Sequence, residues 1–266
     1  MCELTLQIKD VNYKILAENT NAEFTNLVYD SNYNEGDQIT LSVSKPCSYL
    51  VIQLDDVMNP FFVFMKKQHY TFAIPFGDNR DSYNPKVFSG NMHLLKARMA
   101  SDAEIKCYKN LAQNGYDCHE NDSCFPHVFA NVETRSEAVF AARNAIDGNT
   151  ENHFHGKWPY ESWGINQNPD AEITLDFGRI VEVNKIVLFI RADFPHDSYW
   201  RQVHLRFSDG SSYSCKMKKS DRPHIFLLEK RQVIWVKLCN LIKDEYDTSP
   251  FPALSQIKVF GTEILY

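Results

Sequence analysis

Two stretches hold most of the residues able to do chemistry. The first carries His153, His155, Lys157, Trp158, Tyr160, Glu161 and Trp163, and the second carries Arg191, Asp193, His196, Asp197, Tyr199, Trp200 and Arg201. Flat aromatic faces can cover the C–H face of a sugar ring and bury apolar area. Charged groups beside them can hydrogen-bond ring hydroxyls, and charge-assisted bonds are the stronger kind. Both stretches supply both components. The set proposed to meet a ligand is His155, Trp158, Tyr160, Arg191, Asp193, His196, Asp197, Tyr199 and Trp200. Trp163 precedes Gly164 and is assigned to the core. The same types also furnish acid–base chemistry: Glu161, Asp193 and Asp197 offer a glycosidase its two carboxylates. His153-x-His155 could begin a metal site, completed by Asp193 or His196. No Gly-x-Ser-x-Gly elbow, phosphate loop, dinucleotide fingerprint or His-Glu-x-x-His occurs.

These residues fall where strands end. Ile173, Leu175 and Phe177 alternate with polar residues, a period of two. Lys185 to Ile190 is a β-branched run of the kind that a strand buried on both faces shows. Val203 to Phe207 and Tyr213 to Met217 alternate about a Ser208–Ser211 turn, a hairpin. Val233 to Leu238 reads as a late core strand. Leu254 to Phe260 reads as a closing strand beside the start of its domain. Upstream, Leu4, Leu6 and Ile8 alternate with polar residues, as does Gln38 to Val43. Tyr49 to Leu54 reads as a buried run, followed by Phe61 to Met65 and Tyr70 to Ile74, with turns at 34–37, 45–46, 59–60 and 77–79. The loop Pro75 to Pro85 could carry a second site through Arg80 and Tyr83. Ser101-Asp-Ala-Glu104 is a capping box, and Ile105, Tyr108 and Leu111 predict a helix from Asp102 to about Asn114 that packs between two domains. Asn114 to His127 reads as a polar linker. Its Cys118, His119, Cys124 and His127 could ligate zinc, against unpaired thiols; Asn121-Asp-Ser123 is a sequon. Ser136 caps a short helix from Glu137 to about Asn144.

The order Asn144-Ala-Ile-Asp-Gly-Asn149, a Trp-rich loop, Ile173-Thr-Leu-Asp-Phe-Gly178 and Val183-Asn-Lys-Ile-Val187 resembles the discoidin-like domain, also called coagulation factor V/VIII type C or galactose-binding-like. The resemblance covers the C-terminal half. It implies a jelly-roll sandwich of about eight strands, and its members commonly bind glycans, some phospholipid or protein. It also implies a structural calcium at the Asp147 turn, with Asp147, Asn149 and Glu263 as the matching ligands, where oxygen donors suit a hard cation. The alternative is an Asp that caps a turn, and Glu151-Asn-His-Phe-His155 departs from the family's usual Thr-x-Trp continuation.

The resulting expectation is an all-β protein of two β-sandwich (jelly-roll-like) domains: residues 1–100, a helix and linker over 101–127, and a discoidin-like sandwich over 128–266. At 266 residues with 44% hydrophobic and 13% aromatic content, two well-packed cores are affordable. A net charge of −6 without a basic stripe argues against nucleic acid. No run approaches the length of a membrane span. The first residues lack a signal peptide's pattern, and seven cysteines form no tight framework, which predicts a cytoplasmic protein with reduced thiols. The leading function is a non-catalytic carbohydrate-binding protein that takes a sugar or oligosaccharide. The alternatives are a carbohydrate-active enzyme, with its site in the same loops or between the domains, and a module with a protein partner.

Overall fold

The computed structural model describes residues 1–194, 196 and 198–265. Seventeen strands and one helical turn follow in order: β1 Glu3–Lys9, β2 Ile15–Ala22, β3 Phe24–Tyr29, β4 Gln38–Val43, β5 Ser48–Gln53, β6 Phe61–Met65, β7 His69–Ala73, β8 His93–Met99, α1 Asp102–Lys106, β9 Lys109–Asn110, β10 Cys124–Phe125, β11 His127–Ala130, β12 Trp163–Gly164, β13 Ile173–Ile190, β14 Trp200–Phe207, β15 Ser212–Lys216, β16 His224–Lys243 and β17 Ala253–Glu263. Every pairing is antiparallel among the described residues. The protein is all-β.

In the first half a sheet ordered β2-β1-β4-β7 and a sheet ordered β10-β6-β5-β8-β3 share one core. Leu4, Leu6 and Ile8 of β1 are fully buried, as are Ile39 and Leu41 of β4 and Leu50 and Ile52 of β5. Their alternate neighbours face outward, because successive side chains leave a strand on opposite faces. The Tyr49–Leu54 run therefore alternates as well and is not buried on both faces.

In the second half the two runs read as separate strands, Ile173–Phe177 and Lys185–Ile190, form one strand of 18 residues. Register shifts fall between Asp176 and Val181 and between Val183 and Lys185. Before the first shift β13 lies between β11 and β16; after it, between β17 and β16. Bulges bend a strand and let it change neighbours at a corner, so β13 wraps around a core that holds Trp163, Phe177, Val203, Leu238 and Leu254.

The capping box forms: Glu104 N donates to Ser101 Oγ at 3.3 Å, and Ser101 N donates to Glu104 Oε2 at 2.8 Å. Arg98 beside it holds the Glu104 carboxyl down at about 2. The helix nevertheless stops after one turn and buries nothing. Pairing wins over helical spacing: Leu111 N donates to Val259 O at 2.7 Å, β9 joins β17, and Leu111 enters the second core. Ser136 does not cap an α-helix either; three 3-10 turns cover Thr134–Ser136, Ala138–Phe140 and Ala142–Ile146.

The segment read as a polar linker is buried and stitched into both halves. Tyr116 packs in the first core, its hydroxyl accepts from Leu54 N at 2.8 Å, and β10 extends the first half's sheet. Asn121 of the sequon is buried and donates to Asp117 at 2.7 Å. The candidate zinc ligands are spent separately: His127 bonds Asp117 at 2.8 Å, His119 bonds Glu133 at 2.8 Å, and Cys124 is buried. No three His, Cys, Asp or Glu side chains converge as a metal site among the described residues, and all seven cysteines are free.

Two arginines fasten the halves. Arg143 is buried, donates to Gly115 O at 2.8 Å and Asp117 O at 3.2 Å, and lies 4.3 Å from the Tyr83 ring. Arg179 chelates the Glu263 carboxylate, with Nε at 2.8 Å, and its guanidinium faces the Phe64 and Tyr49 rings of the first half at 5.0 and 5.5 Å. No helix among the described residues is long and apolar enough to cross a membrane.

Candidate functional site

A cavity of about 150 Å³ opens at the loop end of the second half. Three chain segments build it. The first is the turn after β11, with Thr134, Arg135 and Phe140. The second follows β12, with Ile165, Asn166 and Gln167. The third joins the end of β13 and the start of β17, with Arg191, Phe251 and Pro252; His155 reaches in from the Trp-rich loop.

The polar centre is a three-residue network. His155 Nδ1 bonds Asp193 Oδ2, and Asp193 Oδ1 pairs with Arg191 Nε at 2.7 Å. Asp193 and Arg191 are 5% and 6% exposed, so their geometry is set by packing and not by solvent. In the neutral ring, Nδ1 donating to the carboxylate leaves Nε2 as an acceptor for a ligand; in the imidazolium Nε2 is a donor. Two backbone bonds and one side-chain amide fix the frame: Arg191 N donates to Ala253 O at 3.0 Å, Ala192 N to Asn152 O at 2.7 Å, and Asn152 Nδ2 to Ile190 O at 2.8 Å. Phe154 stacks on the His155 ring at 5.3 Å and meets Tyr160 edge-on at 5.6 Å. Phe251, 43% exposed, supplies an open apolar face.

The walls are strained. Arg135 and Ser136 have φ of 52° and 54°, and Asn166 and Gln167 have φ of 49° and 58°. Such left-handed residues cost of order 1–3 kcal/mol each and gather where function holds them. Asn166 N donates to Thr134 Oγ1 at 2.9 Å, which ties the two walls together. Gly164 lies beneath: a Cβ there would meet Thr134 Oγ1 at 2.5 Å and Phe140 Cβ at 3.2 Å. Gly164→Ala should therefore lower stability by about 1–3 kcal/mol through overpacking and loosen the cavity wall; urea denaturation would show it, and an unchanged midpoint would mean the walls are not in contact.

Of the residues proposed from sequence, His155 and Arg191 line this cavity and Asp193 organises them. Tyr160 is half-buried against Phe154. Trp158 lines a different cavity, between the halves. Trp200 is not a ligand residue: it begins β14 and is 1% exposed in the core. The Tyr199 hydroxyl donates to Asp244 at 2.8 Å and its ring packs on the core. His196 is exposed, and it is its backbone carbonyl that receives Ser249 Oγ at 2.6 Å and Arg191 Nη2 at 3.3 Å. Asp197 lies outside the described residues. Trp163 is core as expected, its Nε1 donating to Val132 O at 2.9 Å. Of the second-site pair, Arg80 braces its own loop through Val87 O at 2.7 Å, and Tyr83 lines the cavity between the halves. Sequence reasoning missed Thr134, Arg135, Phe140, Asn166, Gln167 and Phe251. Asn166 before Gln167-Asn168-Pro169 was the available signal, because Asn tolerates left-handed backbone, as were the prolines that flank Phe251.

The calcium set does not assemble. Glu263 is held by Arg179 and by Lys109 at 3.7 Å. The β17 residue that reaches the Asp147 turn is Gln256, seven positions earlier, or about 20 Å along a strand. Its Nε2 donates to Asn144 O at 3.0 Å and Asp147 Oδ1 at 3.2 Å, and its Oε1 accepts from Gly148 N at 2.8 Å. Asn149 turns its amide nitrogen, not its oxygen, toward Glu161 at 3.0 Å. Asp147 Oδ1 already accepts from Gln256 Nε2 and Asn149 N, and both Glu263 oxygens are taken by Arg179, so the three residues named from sequence do not fit calcium. Gln256→Glu would place a third carboxylate beside Asp147 and Glu161 and delete two donors. It should cost about 1–3 kcal/mol and make the melting temperature rise with calcium, which the wild type's should not; a wild type destabilised by chelator would refute the amide lock.

No protein-family model matches the sequence, and no curated protein matches it. Solved structures similar to the chain include the family 32 carbohydrate-binding module of Clostridium perfringens NanJ in complex with galactose (14% identity, 58% of this chain and 99% of that one, TM-score 0.41). Another is the lectin domain of lectinolysin complexed with Lewis B antigen (17%, 58% and 97%, 0.42). A third is chitosan-binding module 1 of a chitosanase/glucanase from Paenibacillus sp. IK-5 (17%, 57% and 98%, 0.40).

Proposed function

We propose that this protein binds carbohydrate without transforming it and holds one sugar ring, the end of a glycan or a free sugar, in the loop-end cavity. The observation that carries the reading is the His155–Asp193–Arg191 network set beside the open face of Phe251. Arg191 donates charge-assisted bonds to ring hydroxyls, His155 Nε2 accepts one, and the phenyl face covers C–H groups. Of the acids offered to a glycosidase, Asp197 lies outside the described residues, and Asp193 and Glu161 belong to different cavities. Asp193 is held on both oxygens by His155 and Arg191, and Glu161 sits in the other cavity, its Oε1 accepting from Asn149 Nδ2 at 3.0 Å.

The test is calorimetry against a panel of mono- and oligosaccharides with wild type and Phe251→Ala. Saturable heat with one sugar class, weakened at least tenfold by Phe251→Ala, is expected. Heat that the variant leaves unchanged would remove the sugar from this cavity, and silence across the panel would remove the reading.

A further inference from the structure

A second cavity, of about 330 Å³, lies between the halves, where the loop Ser82–Val87 faces the Asp147 turn and Trp158. Its chemistry differs from that of the loop-end cavity. Asp147 and Glu161 share one wall. Glu161 is 3% exposed; its Oε1 accepts from Asn149 Nδ2 at 3.0 Å, but its Oε2 receives no donor. No Lys or Arg among the described residues forms an ion pair with either carboxylate. The neighbouring cation, Arg143, lines the same cavity, but its three nitrogens donate to Gly115 O, Asp117 O and Asn144 Oδ1. A buried acidic pair with no ion-paired cation is costly unless something supplies charge and donors.

The remaining walls describe what could supply them. Trp158 is 38% exposed. It is pinned at the mouth by its backbone N–H to Asp81 O at 2.7 Å and by Lys157 to Asp81 at 3.0 Å. An indole there offers a flat face and attraction for a cation. Ser82, Asn84 and Asn59 contribute polar groups, and Met58 and Phe61 an apolar floor. We infer that this cavity is a second binding site, for a hydroxylated primary amine the size of one sugar ring. Its ammonium meets Glu161 and Asp147, and its ring lies against Trp158. An ammonium fits because it brings three donors and one charge. An acetylated amine brings neither the charge nor the extra donors.

The experiment titrates glucosamine and galactosamine, with N-acetylglucosamine, glucose and propylamine as comparisons, by calorimetry and tryptophan fluorescence. The proteins are wild type, His155→Ala, Glu161→Gln and Trp158→Ala. An amino sugar should bind wild type and His155→Ala alike and lose at least tenfold in affinity with Glu161→Gln and with Trp158→Ala. N-acetylglucosamine and glucose should show no binding that survives His155→Ala. Trp158→Ala lies at the exposed mouth and keeps the test open if the buried Glu161 variant fails to fold. Four outcomes overturn the proposal: no amino-sugar binding, binding that both cleft variants retain, binding lost with His155→Ala, or propylamine binding as tightly as the amino sugars.

Discussion

Asp193→Asn is expected to weaken sugar binding about 100-fold, against about tenfold for His155→Ala. The carboxylate does two jobs from inside the protein: one oxygen orients the His155 ring and the other holds the Arg191 guanidinium. Asn keeps the volume but offers one acceptor oxygen, so one of the two partners loses its hold and the charge that matched Arg191 disappears. Hydrogen bonds to charged groups contribute about 1.5–3 kcal/mol each, and 1.4 kcal/mol is a tenfold change in affinity. Losing the placement of both ligand-facing groups should therefore cost about 2.7 kcal/mol, or two decades. His155→Ala removes only one contact, from a side chain 42% exposed, and should fold normally. The measurement is the dissociation constant of whichever sugar the wild type binds, with near-ultraviolet circular dichroism as the check on folding. A folded Asp193→Asn that binds like wild type would show that the network does not position the site.

The second large effect is on stability. Arg179→Ala should lower the unfolding free energy by about 3–5 kcal/mol, the usual result of removing one partner from a buried ion pair. The Glu263 side chain is fully buried, and Arg179 is its bidentate partner. Lys109 at 3.7 Å is left as partial compensation, which places the loss toward the lower end. The guanidinium also touches Phe64 and Tyr49 of the first half, so part of the loss is contact across the seam. The double replacement Arg179→Met with Glu263→Leu separates the two contributions: with no orphaned charge and the stem replaced by an apolar chain, it should recover most of the loss. Urea midpoints decide it, and an Arg179→Ala within about 0.5 kcal/mol of wild type would class the bridge with surface pairs.

Strands were legible because their signal is local. Leu4, Leu6 and Ile8 announce β1 in three residues, and β4 begins and ends where its alternation does. The helix was misjudged because its competitor was distant. Ile105, Tyr108 and Leu111 have helical spacing, yet Leu111 N bonds a carbonyl 148 positions on. Trp200 was misassigned for a related reason: an aromatic beside polar residues reads as loop, whereas it is the first residue of β14 and points inward. At the site, His155, Arg191 and Asp193 stood out by type. Asn166 and Gln167 did not, because their part is played by backbone conformation, which composition does not display, and Thr134 did not, because its hydroxyl serves only a backbone N–H of the opposite wall. Glu263 was paired with Asp147 by resemblance alone. Strand register gives that place to Gln256 and hands Glu263 to Arg179.

The course of β13 has a mechanical consequence. Arg191 follows its last residue, and Arg179 lies within it near the seam. A ligand held at Arg191 and drawn outward would therefore load this strand along its own length. The ladder bonds to β16 and β17 run across that direction. They would share the tension in shear and yield together, instead of opening one after another like a zip. A glycan tethered here would pull along β13 toward Arg179, whose guanidinium rests against the rings of the other half.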